Sequence, residues 1–202
     1  MRARLAVLIV GGLVLGTALG LLLVPGALDR LMPSAGSVSF GQATIGGPFN
    51  LINQKGQRVT DKDFRGRYML VYFGFTFCPD VCPTALQVMT GALEKLGPKA
   101  ARIAPIFISV DPERDTPEQL ASYITSFYPS FVALTGTSDE VKAAARAYRV
   151  YYNRVKDPQS TAGYTMDHTS IIYLMGPDGR FISHFTHATQ PDKIVESLSK
   201  LL

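Results

Sequence analysis

From Leu5 to Val24 the chain reads LAVLIVGGLVLGTALGLLLV, without a charge and with Thr17 as the one polar residue. As a helix rising ~1.5 Å per residue, this run spans about 30 Å, the thickness of a bilayer's hydrocarbon core. Arg2 and Arg4 precede it, so the positive-inside rule keeps the N-terminus cytoplasmic and places everything after Val24 across the membrane. A cleaved signal peptide has a shorter apolar stretch and a small-x-small site, and Val24-Pro25-Gly26-Ala27-Leu28 is a poor one. No cysteine follows the run, which excludes a lipoprotein anchor. The pattern predicts an uncleaved transmembrane anchor over residues 1–24 and a flexible tether over 25–46, rich in small residues. A domain spanning 47–202 then lies in an oxidising compartment. The absence of an Arg- and Ser-rich transit peptide favours a bacterial inner membrane with the domain in the periplasm.

Within 47–202 the hydrophobic pattern changes to short buried runs that alternate with amphipathic ones. Phe49–Ile52 and Gln57–Thr60 flank Asn53-Gln54-Lys55-Gly56 and predict a hairpin. Tyr68–Phe75 (YMLVYFGF) and Ile103–Val110 (IAPIFISV) are near-continuous apolar runs, the mark of central strands buried on both faces. Between them Leu86, Met89, Leu93 and Leu96 recur at helical spacing over 81–96, and Gly97-Pro98 stops the helix. Thr116-Pro117-Glu118-Gln119 opens a second helix, to about Tyr128, with a capping residue, a first-turn proline and a glutamine placed for a capping box. A short strand at 132–134 and an Ala-rich helix from Ser138 to Tyr148 follow. Val150–Val155 reads as a strand and 156–163 as a polar loop. A hairpin turns at Gly176-Pro177-Asp178-Gly179 between 170–175 and 180–185, and a closing helix covers 191–202. Buried strands alternating with helices predict an α/β layer fold with an N-terminal hairpin extension.

Composition adds exclusions. The net charge of +4 divides between residues 1–30, where Arg2, Arg4 and Arg30 face Asp29, and a nearly balanced remainder. No run of Lys or Arg occurs, so the electrostatic footprint of nucleic-acid binding is missing. Two cysteines cannot build a disulfide scaffold.

Those two, Cys78 and Cys82, follow the first central strand and open a helix, which is the thioredoxin-like placement. Their spacing is C-x-x-x-C, and residues four apart on a helix share one face. Such a pair can take a metal ion between two thiolates or close into a disulfide. A helix N-terminus lowers thiol pKa and favours both uses. His168, in Tyr164-Thr165-Met166-Asp167-His168-Thr169-Ser170, falls where a loop enters a strand, and sites gather at loop ends beyond a sheet edge. Two thiolates and one imidazole suit copper, Cu(I) or, with an added oxygen ligand, Cu(II). Structural zinc normally takes four ligands, and no fourth Cys or His presents itself. Spacing alone equally allows a structural disulfide with a hydrogen-bonded loop histidine. Around the pair, Asp80 and Asp167 are either tuning and recognition groups or plain exposed acids. Asp111 is a turn residue near the same edge. His184 and His187 read as surface residues rather than a second metal site, and Met89 as core. Peroxide chemistry on this fold would want an arginine behind the thiolate, and the cysteine loop has none.

Phe73-Gly74-Phe75-Thr76-Phe77-Cys78-Pro79-Asp80-Val81-Cys82-Pro83-Thr84 resembles the signature of the Sco/SenC family. So do Ile108-Ser109-Val110-Asp111-Pro112-Glu113-Arg114-Asp115-Thr116-Pro117 and Asp167-His168-Thr169-Ser170, in the same order and spacing. The resemblance covers about residues 45–202. It implies a thioredoxin-like fold that binds copper through Cys78, Cys82 and His168, on a domain held by one N-terminal helix. It also implies a role in assembling the dinuclear copper centre of cytochrome c oxidase subunit II. That role is copper delivery by a metallochaperone, or thiol–disulfide reduction with Cys78 and Cys82 as the redox-active pair. Other periplasmic copper chaperones or thioredoxin-like reductants are the further partners it implies.

Overall fold

The computed structural model describes residues 44–160 and 163–202. The predicted anchor and most of the tether lie outside the described residues. Among those described, no helix is long and apolar enough to cross a membrane. The compact unit runs from Thr44 to Leu202. Ile45 packs on its core, and the Gly46 N–H donates to the Ala147 carbonyl at 2.9 Å.

The two apolar runs form the centre. β3 (Tyr68–Gly74) and β4 (Ile103–Ser109) pair in parallel, from Tyr68 opposite Ile103 to Gly74 opposite Ser109. Every residue of β4 and all but the first of β3 are buried, so neither strand needs a polar face. Pro105 is tolerated inside β4 because pairing with β5 (Val132–Thr135) begins only at Ile106, leaving one side of the proline without a strand to serve. The sequence-predicted N-terminal hairpin, β1 (Asn50–Asn53) and β2 (Arg58–Thr60), adds antiparallel to β5. On the other side of β3 lie β8 (Ile171–Met175) and β9 (Phe181–Thr186), both antiparallel. The sheet order is β2-β1-β5-β4-β3-β8-β9.

The helices follow their stripes. α1 (Val81–Leu96) buries Cys82, Leu86, Met89, Leu93 and Leu96, a ridge spaced three to four residues apart, and ends at Gly97 with φ of 54°. It packs on β3 and on α4 (Pro191–Ser199). α2 (Pro117–Ile124) sits against β5, and α3 (Ser138–Ala147) against β1. The parallel β3-α1-β4 unit, with the antiparallel β8–β9 pair on its flank, is the thioredoxin-like layout expected from the sequence.

Two expectations change. α2 stops at Ile124 rather than near Tyr128. Its N-cap Thr116 does accept from the Gln119 N–H at 3.3 Å, but the Gln119 side chain leaves the capping box and donates to Thr76 Oγ1 instead. The strand expected at 150–155 is shifted: β6 (Tyr152–Lys156) pairs antiparallel with β7 (Tyr164–His168), where the sequence predicts the end of a loop. These two form a separate two-stranded ribbon outside the main sheet.

Candidate metal centre

β3 and β4 are parallel and adjacent, so their C-terminal ends leave the sheet at one edge. After Gly74 the chain turns through Phe75–Asp80 into α1. This puts Cys78 in the loop, half-buried, and Cys82 in the first turn of α1, fully buried. The helical geometry brings the Cys82 N–H to Cys78 Sγ at 3.4 Å. His168 ends β7 opposite Tyr152 and reaches in from the ribbon, with Nε2 at 3.3 Å from Cys82 Sγ. The three donor atoms all lie within 4.8 Å of one another. Among the described residues, this is the one group of three or more His, Cys, Asp or Glu side chains so gathered. Bonds of ~2.0–2.3 Å from sulfur and nitrogen to a single ion separate such donors by about 3.5–4 Å, so small side-chain shifts suffice.

The imidazole ring is held in place from both ends. Its Nδ1 lies 3.1 Å from the Thr169 carbonyl, an acceptor only, so this bond places a proton on Nδ1, and in the neutral ring the Nε2 lone pair is the one that faces the sulfurs. Edge-on contacts from Tyr72 and Phe75, with ring centroids at 6.1 and 5.8 Å, fix the ring plane. Asp167 does not orient the ring: it is exposed, and adjacent residues of a strand face opposite sides.

The two thiols are electrostatically unequal. A hydrogen bond from the Cys82 thiol holds the Cys78 pKa well below the usual thiol range. Burial opposes that shift, while the N–H groups of Cys82 and Asp80 reinforce it. The same bond to Cys78, together with burial, pushes Cys82 up. Cys78 is therefore the thiolate at rest. In the reduced, metal-free protein, iodoacetamide should modify Cys78 with a pH midpoint well below the ~8.5 of an ordinary thiol, and should leave Cys82 intact. Mass spectrometry across a pH series reads this directly. A Cys78 midpoint near that of a free thiol contradicts the assignment.

Room for the buried sulfur comes from Gly74. A Cβ there would stand 2.8 Å from Cys82 Sγ, 2.9 Å from Tyr72 Cε1 and 3.0 Å from Phe107 Cε2. The Tyr72 hydroxyl donates to Cys82 Sγ at 3.8 Å. Behind the loop, the fully buried Asp115 carboxylate accepts from the Thr76 N–H at 3.1 Å, the Thr76 hydroxyl at 2.6 Å and the Ser109 hydroxyl at 2.5 Å. Burial raises its pKa against those bonds.

The remaining predicted residues fall outside the donor set. Asp80 is the exposed N-cap of α1 and makes no side-chain capping bond. Met89 is core, as read. His184 is exposed and stacks on Phe181, and His187 is half-buried, with Nδ1 buried and unpartnered. Asp111 is more than a turn residue: it is buried, paired with Arg114, and accepts from the Tyr164 hydroxyl at 3.1 Å. The sequence assigns no role to Gly74, Asp115, Arg114 or Tyr164, while Tyr72 is expected from it as core and shielding around the site and is fully buried there. The adjacency of β3 and β4 carried the signal for Arg114 and Asp115, because it predicts that the loops after both strands meet at one edge.

Residues 38–202 match the SCO1/SenC family model. The chain is 46% identical over 162 residues to the human mitochondrial SCO1 homolog, an alignment covering 79% of this chain and 53% of that protein. This chain therefore spans about half the length of that relative. It is also similar to the structure of Bradyrhizobium japonicum ScoI with copper bound, at 46% identity and a TM-score of 0.72, over 78% of this chain and 99% of that one. A third similar structure is BsSco, described as a member of the Sco family of cytochrome c oxidase assembly proteins and as holding a disulfide switch. It matches at 28% identity and a TM-score of 0.60, over 77% of this chain and 92% of that one. With the fold, the cysteine–histidine cluster and a family match that reaches from residue 38 to the last residue, this chain belongs to the SCO1/SenC family.

Proposed function

We propose that this chain is a membrane-anchored copper-binding protein that carries one copper ion on Cys78, Cys82 and His168. Its task is to assist assembly of the dinuclear copper site of cytochrome c oxidase subunit II, with the domain on the periplasmic side of a bacterial inner membrane. The observation that carries this reading is the convergence of two sulfurs and one imidazole nitrogen within 4.8 Å, at a loop edge close to solvent. Two thiolates with one nitrogen favour copper over the harder divalent ions. The copper-bound structure of the similar Bradyrhizobium protein supports the choice of metal. Copper is cargo in this reading. Cys78, half-buried and already ionised, is the exchangeable end of the site, while Cys82 and His168 are the retained end. Oxidation of the pair to a disulfide removes both thiolate ligands, so copper is held only by the reduced protein.

The inequality of the two thiols favours a second reading as a reductant. Here the Cys78 thiolate attacks one sulfur of a partner's disulfide, forming a mixed disulfide and releasing the other partner sulfur as a thiolate. Cys82, deprotonated as the mixed disulfide forms, attacks Cys78 Sγ and releases the partner's second thiol. The partner's disulfide gains two electrons and becomes a dithiol, and the Cys78–Cys82 dithiol becomes a disulfide. A thioredoxin-like reductant then restores it.

His168 separates the readings, because copper retention uses the imidazole and thiol exchange does not. Copper-loaded protein is mixed with the reduced, metal-free soluble domain of subunit II, and separately the reduced protein is mixed with the oxidised domain. The account predicts that His168→Ala abolishes net copper transfer yet reduces the disulfide at close to the wild-type rate. Equal copper transfer by wild type and variant overturns the carrier reading.

A further inference from the structure

The two halves of the metal centre come from elements that share no backbone pairing. The cysteines belong to the loop between β3 and α1, and His168 to the β6–β7 ribbon, which is not hydrogen-bonded into the seven-stranded sheet. The ribbon is closed at its base by the Thr169 N–H donating to the Tyr151 carbonyl, a contact within its own polypeptide. His168 is joined to the sheet only through Thr169 and Ser170, which lead into β8, so side-chain contacts between the ribbon and the cysteine loop also bear on the gap between His168 and the sulfurs.

Arg114, in the loop between β4 and α2, touches both halves. Its Nε donates to the buried carboxylate of Asp111, and its Nη1 donates to the Tyr164 carbonyl at 3.3 Å. The guanidinium carbon lies 3.9 Å from the Tyr164 ring centroid, 4.8 Å from that of Phe77 and 5.7 Å from that of Phe75. Phe77 precedes Cys78, Phe75 packs edge-on against the His168 ring, and Tyr164 begins the strand that His168 ends. Asp111 completes the bridge by accepting from the Tyr164 hydroxyl. On its outer side, Tyr164 is covered by Arg154, which is paired with Glu113 at 2.6 Å. The Arg114 side chain is only 11% exposed, with Nη2 buried and without a hydrogen-bond partner, so its charge faces this cluster rather than solvent.

A flat guanidinium can stack on aromatic faces while its fork donates in its own plane, and desolvation strengthens both interactions. An ammonium has no such plane. We propose that Arg114 is a positioning residue: with Asp111 and Tyr164 it docks the His168 ribbon on the cysteine loop and so sets the distance from imidazole to dithiol. The inference rests on the copper-site reading above.

A double-mutant cycle tests it on the full chain, reduced and in detergent, with Cu(I) as the probe in an anaerobic competition titration. If Arg114 acts through His168, Arg114→Gln and Arg114→Lys should each weaken Cu(I) binding by about 10-fold or more, the range for groups that orient a metal ligand. On a His168→Ala background, either change should then cost less than about twofold, because the group it positions is gone. Tyr164→Phe keeps the ring and removes the hydroxyl bond to Asp111, and should give a smaller loss of the same kind. Without metal, amide hydrogen exchange over Thr165–His168 should quicken in the Arg114 variants while the β3 amides stay protected, a pattern that global destabilisation does not produce. Wild-type affinity in the Arg114 variants, or an equal loss with and without His168, overturns the proposal. If the wild type proves indifferent to His168→Ala, the copper reading fails instead, and the exchange rates still decide whether Arg114 docks the ribbon.

Discussion

Gly74→Ala should weaken Cu(I) binding sharply and lower the thermal midpoint by about 4–8 °C, the shift that ~2 kcal/mol of overpacking gives in a domain of this size. The backbone at Gly74 is not in the left-handed region, so strain in φ is not the cause. The cause is steric. The added methyl would meet Cys82 Sγ at 2.8 Å and two aromatic carbons at 2.9 and 3.0 Å. None of the three can retreat, because Cys82, Tyr72 and Phe107 are fully buried. The reduced freedom of an unfolded alanine chain returns only about 0.4–1 kcal/mol, so the clash prevails. The sulfur must shift, and it is the one donor that His168 faces at 3.3 Å. A thermal melt and a Cu(I) titration of the variant check both effects. Wild-type values in both would mean that the Cys82 sulfur does not rest against Gly74.

His168→Ala should separate binding from stability. Cu(I) affinity should fall by at least about 100-fold, since even groups that merely orient a metal ligand are worth about 10–100-fold. Folding stability should change by only about 1 kcal/mol, because the ring is half-buried and its packing is limited to edge contacts with Tyr72 and Phe75. A loss of stability as large as the loss of binding would recast His168 as a core residue.

The parts of this architecture that were legible in the sequence are those whose periodicity is enforced by burial. β3 and β4 lie within apolar runs because both of their faces are covered, and α1 shows its stripe because one face rests on the sheet and on α4. The cysteine pair stood out because both cysteines of the chain fall together at a helix start, but their spacing alone also allowed a structural disulfide, and it was the surrounding residues that resembled a copper-binding signature. The β6–β7 ribbon was hard to read because it has hardly any buried face. Its segments YNRVK and YTMDH show no alternation, and among their residues only Met166 is buried. His168 was therefore picked for its residue type and context, while the strand that carries it went unseen. Arg114 illustrates a different gap. The cysteine loop holds no arginine of its own, and the structure brings one to it from the next strand's exit, which local sequence cannot show. Asp115 escaped for the same reason: a buried carboxylate in a turn is intelligible only once Thr76 and Ser109 are known to face it.

The central claim is that two sulfurs and one imidazole act together on one copper ion. An anaerobic Cu(I) competition titration of the reduced protein, wild type beside His168→Ala, tests it most directly. The account predicts one equivalent bound tightly by the wild type and a loss of at least about 100-fold in the variant. Equal affinity in the two proteins would contradict it, leaving a dithiol that catches copper without the histidine.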